Sequence, residues 1–279
     1  MNRMIPVMVA ACTGLAAAGP VDFTGSGANA SDIAAVVASF NTAVSLGGGN
    51  NGAGGGAFTV GRREINWDAA GLDAFQSPAA MPDNFFNNNS KRGAVFSAPT
   101  GRLLVSKRVS DATARFGDIE PSYASSFKTF SPSRVFGVEG GTVVNSSFFV
   151  PLAPGQAATV NGFGAIFTDV DRSDSTAIEF YTDMNGQQAL LRRILVPVSP
   201  DGGLSFAGTF FQDGERVSGV RIIAGNAGLG AGILDTAERD VVAMDDFFYS
   251  EPLAVPAPGV AGVAVAAAIL GGRRRRHLA

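Results

Sequence analysis

The chain has 279 residues, 46% hydrophobic and 16% charged, with 21 basic and 24 acidic side chains, one histidine and one cysteine. That length suits one large β domain or two small ones, and the acidic balance excludes a nucleic-acid partner, whose phosphates are gripped by Lys and Arg. His277 and Cys12 lie near the two ends, so the body has no imidazole base, no Ser-His-Asp arrangement, no His or Cys metal ligand and no disulfide.

Residues 1–18 read as a signal peptide. Arg3 supplies the positive start, Met4 to Leu15 is mostly apolar, and Ala16-Ala17-Ala18 offers the small residues that signal peptidase cuts after. Ala28-Asn29-Ala30 is a second small-residue site, too far from the apolar stretch. Val9-Ala10-Ala11-Cys12 looks like a lipoprotein processing box, but the apolar stretch before it is short, which favours an ordinary leader cysteine.

Residues 19–57 read as a helix and a glycine-rich loop. Ser31 to Leu46 places Ile33, Val36, Val37, Phe40 and Val44 on one face, with Ser31 able to cap and Gly47 to stop. The GGGNNGAGGG run that follows has no Lys-Ser/Thr ending, so it is a turn-forming loop and not a phosphate cradle.

From residue 58 to 252 the pattern changes to short β-branched and aromatic runs bounded by Gly, Pro, Asp and Ser. Ten candidate strands between Ala94 and Tyr249 predict a mainly β, antiparallel, two-sheet sandwich, its core filled by pairs such as Phe148-Phe149 and Phe247-Phe248. At the start of this region Trp67 stands beside Arg62, Glu64 and Asp68. These four form a candidate ligand site with the tryptophan as a sugar-stacking platform, against the plainer reading of a core aromatic. Glu64 and Asp68 are also the carboxylates nearest to an acid/base arrangement for cutting a glycosidic bond.

Asp169, Asp171, Asp174, Asp183 and Asn185 form a candidate calcium site. Asp169 and Asp171 alternate on one strand face, Asp183 to Gly186 makes a turn, and hard oxygen ligands suit Ca²⁺, although the spacing lacks the Gly and terminal Glu of an EF-hand loop. The plainer reading is turn residues at strand ends. Asp245 and Asp246, as strand neighbours, are expected to point to opposite faces and so not to cooperate. The run Met244-Asp245-Asp246-Phe247-Phe248-Tyr249 resembles the last strand of jelly-roll modules, including carbohydrate-binding modules, and that resemblance implies a jelly-roll-like fold.

Residues 253–279 close the chain. Val255-Pro256-Ala257-Pro258-Gly259 is followed by an apolar run from Val260 to Leu270, Gly271-Gly272 and the cluster Arg273, Arg274, Arg275 and Arg276. A helix from Val260 to Gly272 spans roughly 20 Å at about 1.5 Å per residue, a short transmembrane helix held by its arginines on the cytoplasmic side. Without the two ends the body keeps 16 basic against 24 acidic residues, a net charge of −8. The order of motif, short helix and Arg cluster resembles the PEP-CTERM sorting signal of Gram-negative bacteria, with Ala257 where that family usually has Glu. The resemblance implies transient inner-membrane anchoring, an exosortase as processing partner, and release to the cell surface or extracellular polysaccharide matrix. The expected function is therefore a non-catalytic exported protein. A carbohydrate-binding module, with or without Ca²⁺, is the alternative, and a carboxylate glycan hydrolase the third reading.

Overall fold

The computed structural model describes residues 19–54, 58–184 and 187–255. They form two antiparallel seven-stranded sheets built from strands β1 (Val21–Gly27), β2 (Arg62–Ile65), β3 (Ala94–Ser97), β4 (Arg102–Val105), β5 (Phe136–Glu139), β6 (Val143–Val150), β7 (Ala153–Thr159), β8 (Gly162–Thr168), β9 (Ala177–Met184), β10 (Gln187–Leu195), β11 (Leu204–Phe210), β12 (Gly219–Ile223), β13 (Ala243–Ser250) and β14 (Leu253–Ala254). The first sheet runs β1-β11-β8-β13-β5-β4, with β2 also on β13; the second runs β10-β9-β12-β6-β7-β14, with β3 also on β6. The mainly β two-sheet expectation therefore holds.

Alternation places the core. Phe163, Ala165 and Phe167 of β8 and Phe247 and Tyr249 of β13 face Val144 and Phe148 of β6, Ile178 and Phe180 of β9, and Val220 and Ile222 of β12. The opposite residues of β8 and β11, Ile166 and Phe206, turn outward and meet a helix, α1 (Ala30–Ser45), through Ile33, Val37, Phe40 and Val44. The first sheet is thus covered on both faces.

The helix face is the one expected, but its ends move by one residue. Asn29, not Ser31, is the N-cap; its backbone N–H donates to Asp32 Oδ2 at 2.9 Å, and Leu46 ends the helix in the left-handed region at φ 49°. Phe40 rests on two glycines. A Cβ on Gly164 would stand 3.0 Å from its ring and one on Gly208 2.9 Å, and these two residues are directly paired across β8 and β11. Phe23 of β1, next in that row, meets the ring edge-on at 5.6 Å. Strand β1 joins the edge of the first sheet, so residues 21–45 belong to the sandwich and are not a separate preface to it.

Among the described residues no helix is long and apolar enough to cross a membrane. The proposed transmembrane helix and residues 256–279 lie outside the described residues, as do residues 1–18.

Candidate functional site

Three polar constellations stand out, and none is the one built around Trp67. That residue, read as a platform, is only 1% exposed. Its ring stacks on Phe136 at 4.0 Å, meets Phe86 and Phe247 edge-on, and donates its indole N–H to the Asp245 carbonyl at 2.8 Å. A ring so enclosed cannot stack on a sugar; the polar neighbours in sequence misled because β2 places alternate residues on opposite sides. Arg62 and Glu64 are half-buried and 3.5 Å apart, and Arg62 also reaches Ser45 at the end of α1. Asp68 is turned elsewhere, its Oδ1 accepting from the Ser133 backbone N–H at 2.5 Å. The four residues do not form one site.

Between Arg62 and Glu64, Arg63 faces the interior. Its guanidinium grips Glu251 in a two-pronged ion pair at 2.6 and 2.7 Å, both side chains almost fully buried, and donates to the Gly52 carbonyl at 2.6 Å. Asn51 donates to Glu251 at 2.8 Å. This network fastens the glycine-rich loop to the end of β13, a structural task.

The first constellation is Asp245 and Asp246. Between Met244 and Phe247 strand β13 sets two residues against one on β8, a bulge that turns both carboxyl groups to the same side, in contact with each other. The expectation of opposite faces is corrected, because it assumes a regular pleat. Asp245 Oδ2 accepts from the Phe130 N–H at 2.5 Å and Asp246 Oδ1 from the Ser131 hydroxyl at 2.7 Å. Burial, with the neighbouring carboxylate adding to it, holds Asp245 well above the usual carboxylate range; burial pushes Asp246 up to about 6. With 0% and 2% exposure the pair is sealed from any polymer substrate.

The second lies where three loops meet beyond β8. Asp169, Asp171 and Asp235 each bring a carboxylate oxygen within 4.8 Å of the others. Asp169 follows β8 directly at φ 67°, is fully buried, and accepts from the Gly202 N–H at 2.8 Å. Burial is the main cause that pushes Asp169 up to about 8 and Asp235 up to about 6, with the adjacent carboxylates contributing. Asp171 is raised by burial and by Asp240 and Asp201. Of the expected calcium ligands, Asp169 and Asp171 are brought together. Asp174 is not: it is 73% exposed and paired with Arg172. Asp183 is exposed at the far end of β9, and Asn185 lies outside the described residues. Asp235, which sequence reasoning missed, completes the triad from a loop whose return to β8 has no local signal.

The third is a groove of about 560 Å³ on the outer face of the second sheet, lined by Ser97, Asn145, Ser147, Tyr181, Gln188 and Arg221 among others. Register explains it. Ser97, Asn145, Arg221 and Glu179 form one row across β3, β6, β12 and β9, and Ser147, Gly219 and Tyr181 form the row two residues along. Gly219 has no side chain to fill the trough between Ser147 and Tyr181. Glu179 accepts the Tyr181 hydroxyl at 2.6 Å, raising the phenol pKa, and is itself held by Arg193 at 2.8 Å, so the aromatic ring is fixed at the groove wall.

Compared with known proteins, the chain matches no protein-family model, and no curated protein is significantly similar to it.

Proposed function

We propose that this chain is a non-catalytic exported protein with a jelly-roll-like sandwich, delivered to the cell surface by its C-terminal sorting segment, and that it binds extracellular polysaccharide. The observation that carries the reading is the groove on the second sheet. It is open and walled by a half-buried aromatic ring, with amide, hydroxyl and guanidinium groups at regular strand spacing. Sugar rings need one apolar face to stack on and several donors and acceptors around their hydroxyls, and Tyr181 with Asn145, Gln188 and Arg221 supplies both. The ring is oriented before ligand arrives, since its hydroxyl is tied to Glu179. Arg221 suits sugars that carry a carboxylate.

The test is a glycan-binding screen of the full chain beside Tyr181→Ala and Arg221→Ala. Each substitution is expected to weaken binding at least about tenfold, the scale of losing about 1.4 kcal/mol of stacking or charge-assisted hydrogen bonding. Binding that persists unchanged in both variants places the ligand elsewhere; no glycan bound by the unaltered chain ends the reading.

A further inference from the structure

We propose that Asp169, Asp171 and Asp235 bind a calcium ion that ties the segment after β8 to the loop leading into β13. Three carboxylates whose oxygens lie within 4.8 Å of one another repel, and no Lys or Arg forms an ion pair with any of them among the described residues. Arg172, the nearest cation in sequence, pairs instead with the outlying Asp174.

The independent sign is Asp169 Oδ2. Asp169 is fully buried, its Oδ1 is satisfied by Gly202, and Oδ2 is buried with no N–H or hydroxyl donor, the Asp235 carboxyl being the side chain that could bond to Asp169 only by sharing a proton. A buried polar oxygen without a partner is costly and uncommon, and it asks for a cation or a proton. The neighbouring Asp240 is the contrast. Its Oδ1 accepts from the Asp171 N–H at 3.2 Å and its Oδ2 from the Ser175 hydroxyl, so it is a finished structural carboxylate. Asp169 is not finished.

The ligand chemistry selects calcium. All the donors are hard oxygens, and two ligands on opposite sides of Ca²⁺ stand about 4.6–5.2 Å apart, which accommodates the observed grouping. Asp171 is exposed and Asp235 half-buried, so water reaches the site and fills the remaining positions that a six- to eight-coordinate ion takes. The site is remote from the groove in sequence and shares no residue with it, so the two readings stand or fall separately.

The experiment titrates the full chain with CaCl2 by calorimetry and follows its Tm in parallel, with MgCl2 and EDTA as arms. The expected result is a Kd of about 0.1–1 mM, as for extracellular calcium sites, and a Tm that climbs with Ca²⁺ more than with Mg²⁺. Asp171→Asn and Asp235→Asn, neither of them buried, should each weaken binding at least tenfold, whereas Asp174→Asn and Asp183→Asn should leave it unchanged. Absence of heat and of a Tm shift up to about 10 mM Ca²⁺ overturns the proposal, as does binding that survives both Asp171→Asn and Asp235→Asn. A proton shared between Asp169 and Asp235 is the rival: it is indicated if Asp169→Asn is as stable in EDTA as the unaltered chain and the latter ignores Ca²⁺.

Discussion

Asp246 is the residue whose behaviour follows most directly from its surroundings. Burial lifts its pKa from 3.8 to about 6, while in the unfolded chain it titrates near the ordinary value. Between those limits the folded state binds more protons than the unfolded state, so this group makes stability fall as pH rises from about 4 to 6, and the loss is complete above that window. Asp246→Asn fixes the neutral form and keeps an oxygen for the Ser131 hydroxyl. The variant should match the unaltered chain near pH 4 and exceed it by on the order of 1–3 kcal/mol above pH 6, read from denaturant unfolding across that range in EDTA. A difference that stays constant from pH 4 to 7 would contradict the burial argument. At this scale the sequence was least legible. Asp245-Asp246 reads as an alternating pair because nothing in those letters announces a bulge, and Trp67, between charged neighbours, reads either as a platform or as the core aromatic that it is. Asp169 and Asp171 could be paired on paper; Asp235 could not, since only the closed fold returns it.

At the scale of elements, α1 was the most legible, because Ile33, Val37, Phe40 and Val44 repeat at helical spacing and the same four are buried. Its partner surface was legible only in part. Strands β8 and β11 are among the ten expected strands despite Gly164 and Gly208, whereas β1, VDFTGSG, has too few β-branched residues to read as a strand. The glycines are there to admit the Phe40 ring. Phe40→Ala should therefore destabilise by about 3–5 kcal/mol, and Gly208→Val, which forces atoms into the space the ring and Gly164 occupy, by at least about 1–3 kcal/mol. Chemical denaturation measures both. A loss under 1 kcal/mol for Phe40→Ala would mean that the helix is dispensable to the sandwich.

For the whole molecule, ten runs of β-forming residues without a helical interruption were enough to expect two antiparallel sheets, since such strands must bury one face against something. Strand order was beyond reach: sequence distance says nothing about β13 lying between β8 and β5. The ends of the chain belong to this scale too. If the Arg cluster is a sorting device, protein recovered from its native cell surface should lack His277 and the four arginines, and mass spectrometry of its C-terminus decides the matter. An intact Leu278-Ala279 on surface protein would make the segment a permanent anchor.

The Arg63–Glu251 pair has a mechanical consequence. The described chain ends at Val255, just past β14, which is joined to β7 by two residue pairs, Leu253 with Thr159 and Ala254 with Ala158. A pull on the C-terminus peels that short contact first, one pair at a time. The load then arrives at Glu251, whose two-pronged grip on Arg63 of β2 lies at the end of β13, a strand with neighbours on both sides. Tension on this end therefore meets the Arg63–Glu251 ion pair before it reaches the hydrogen bonds of β13, whose pairing with β2, β5 and β8 shares the load among several strands.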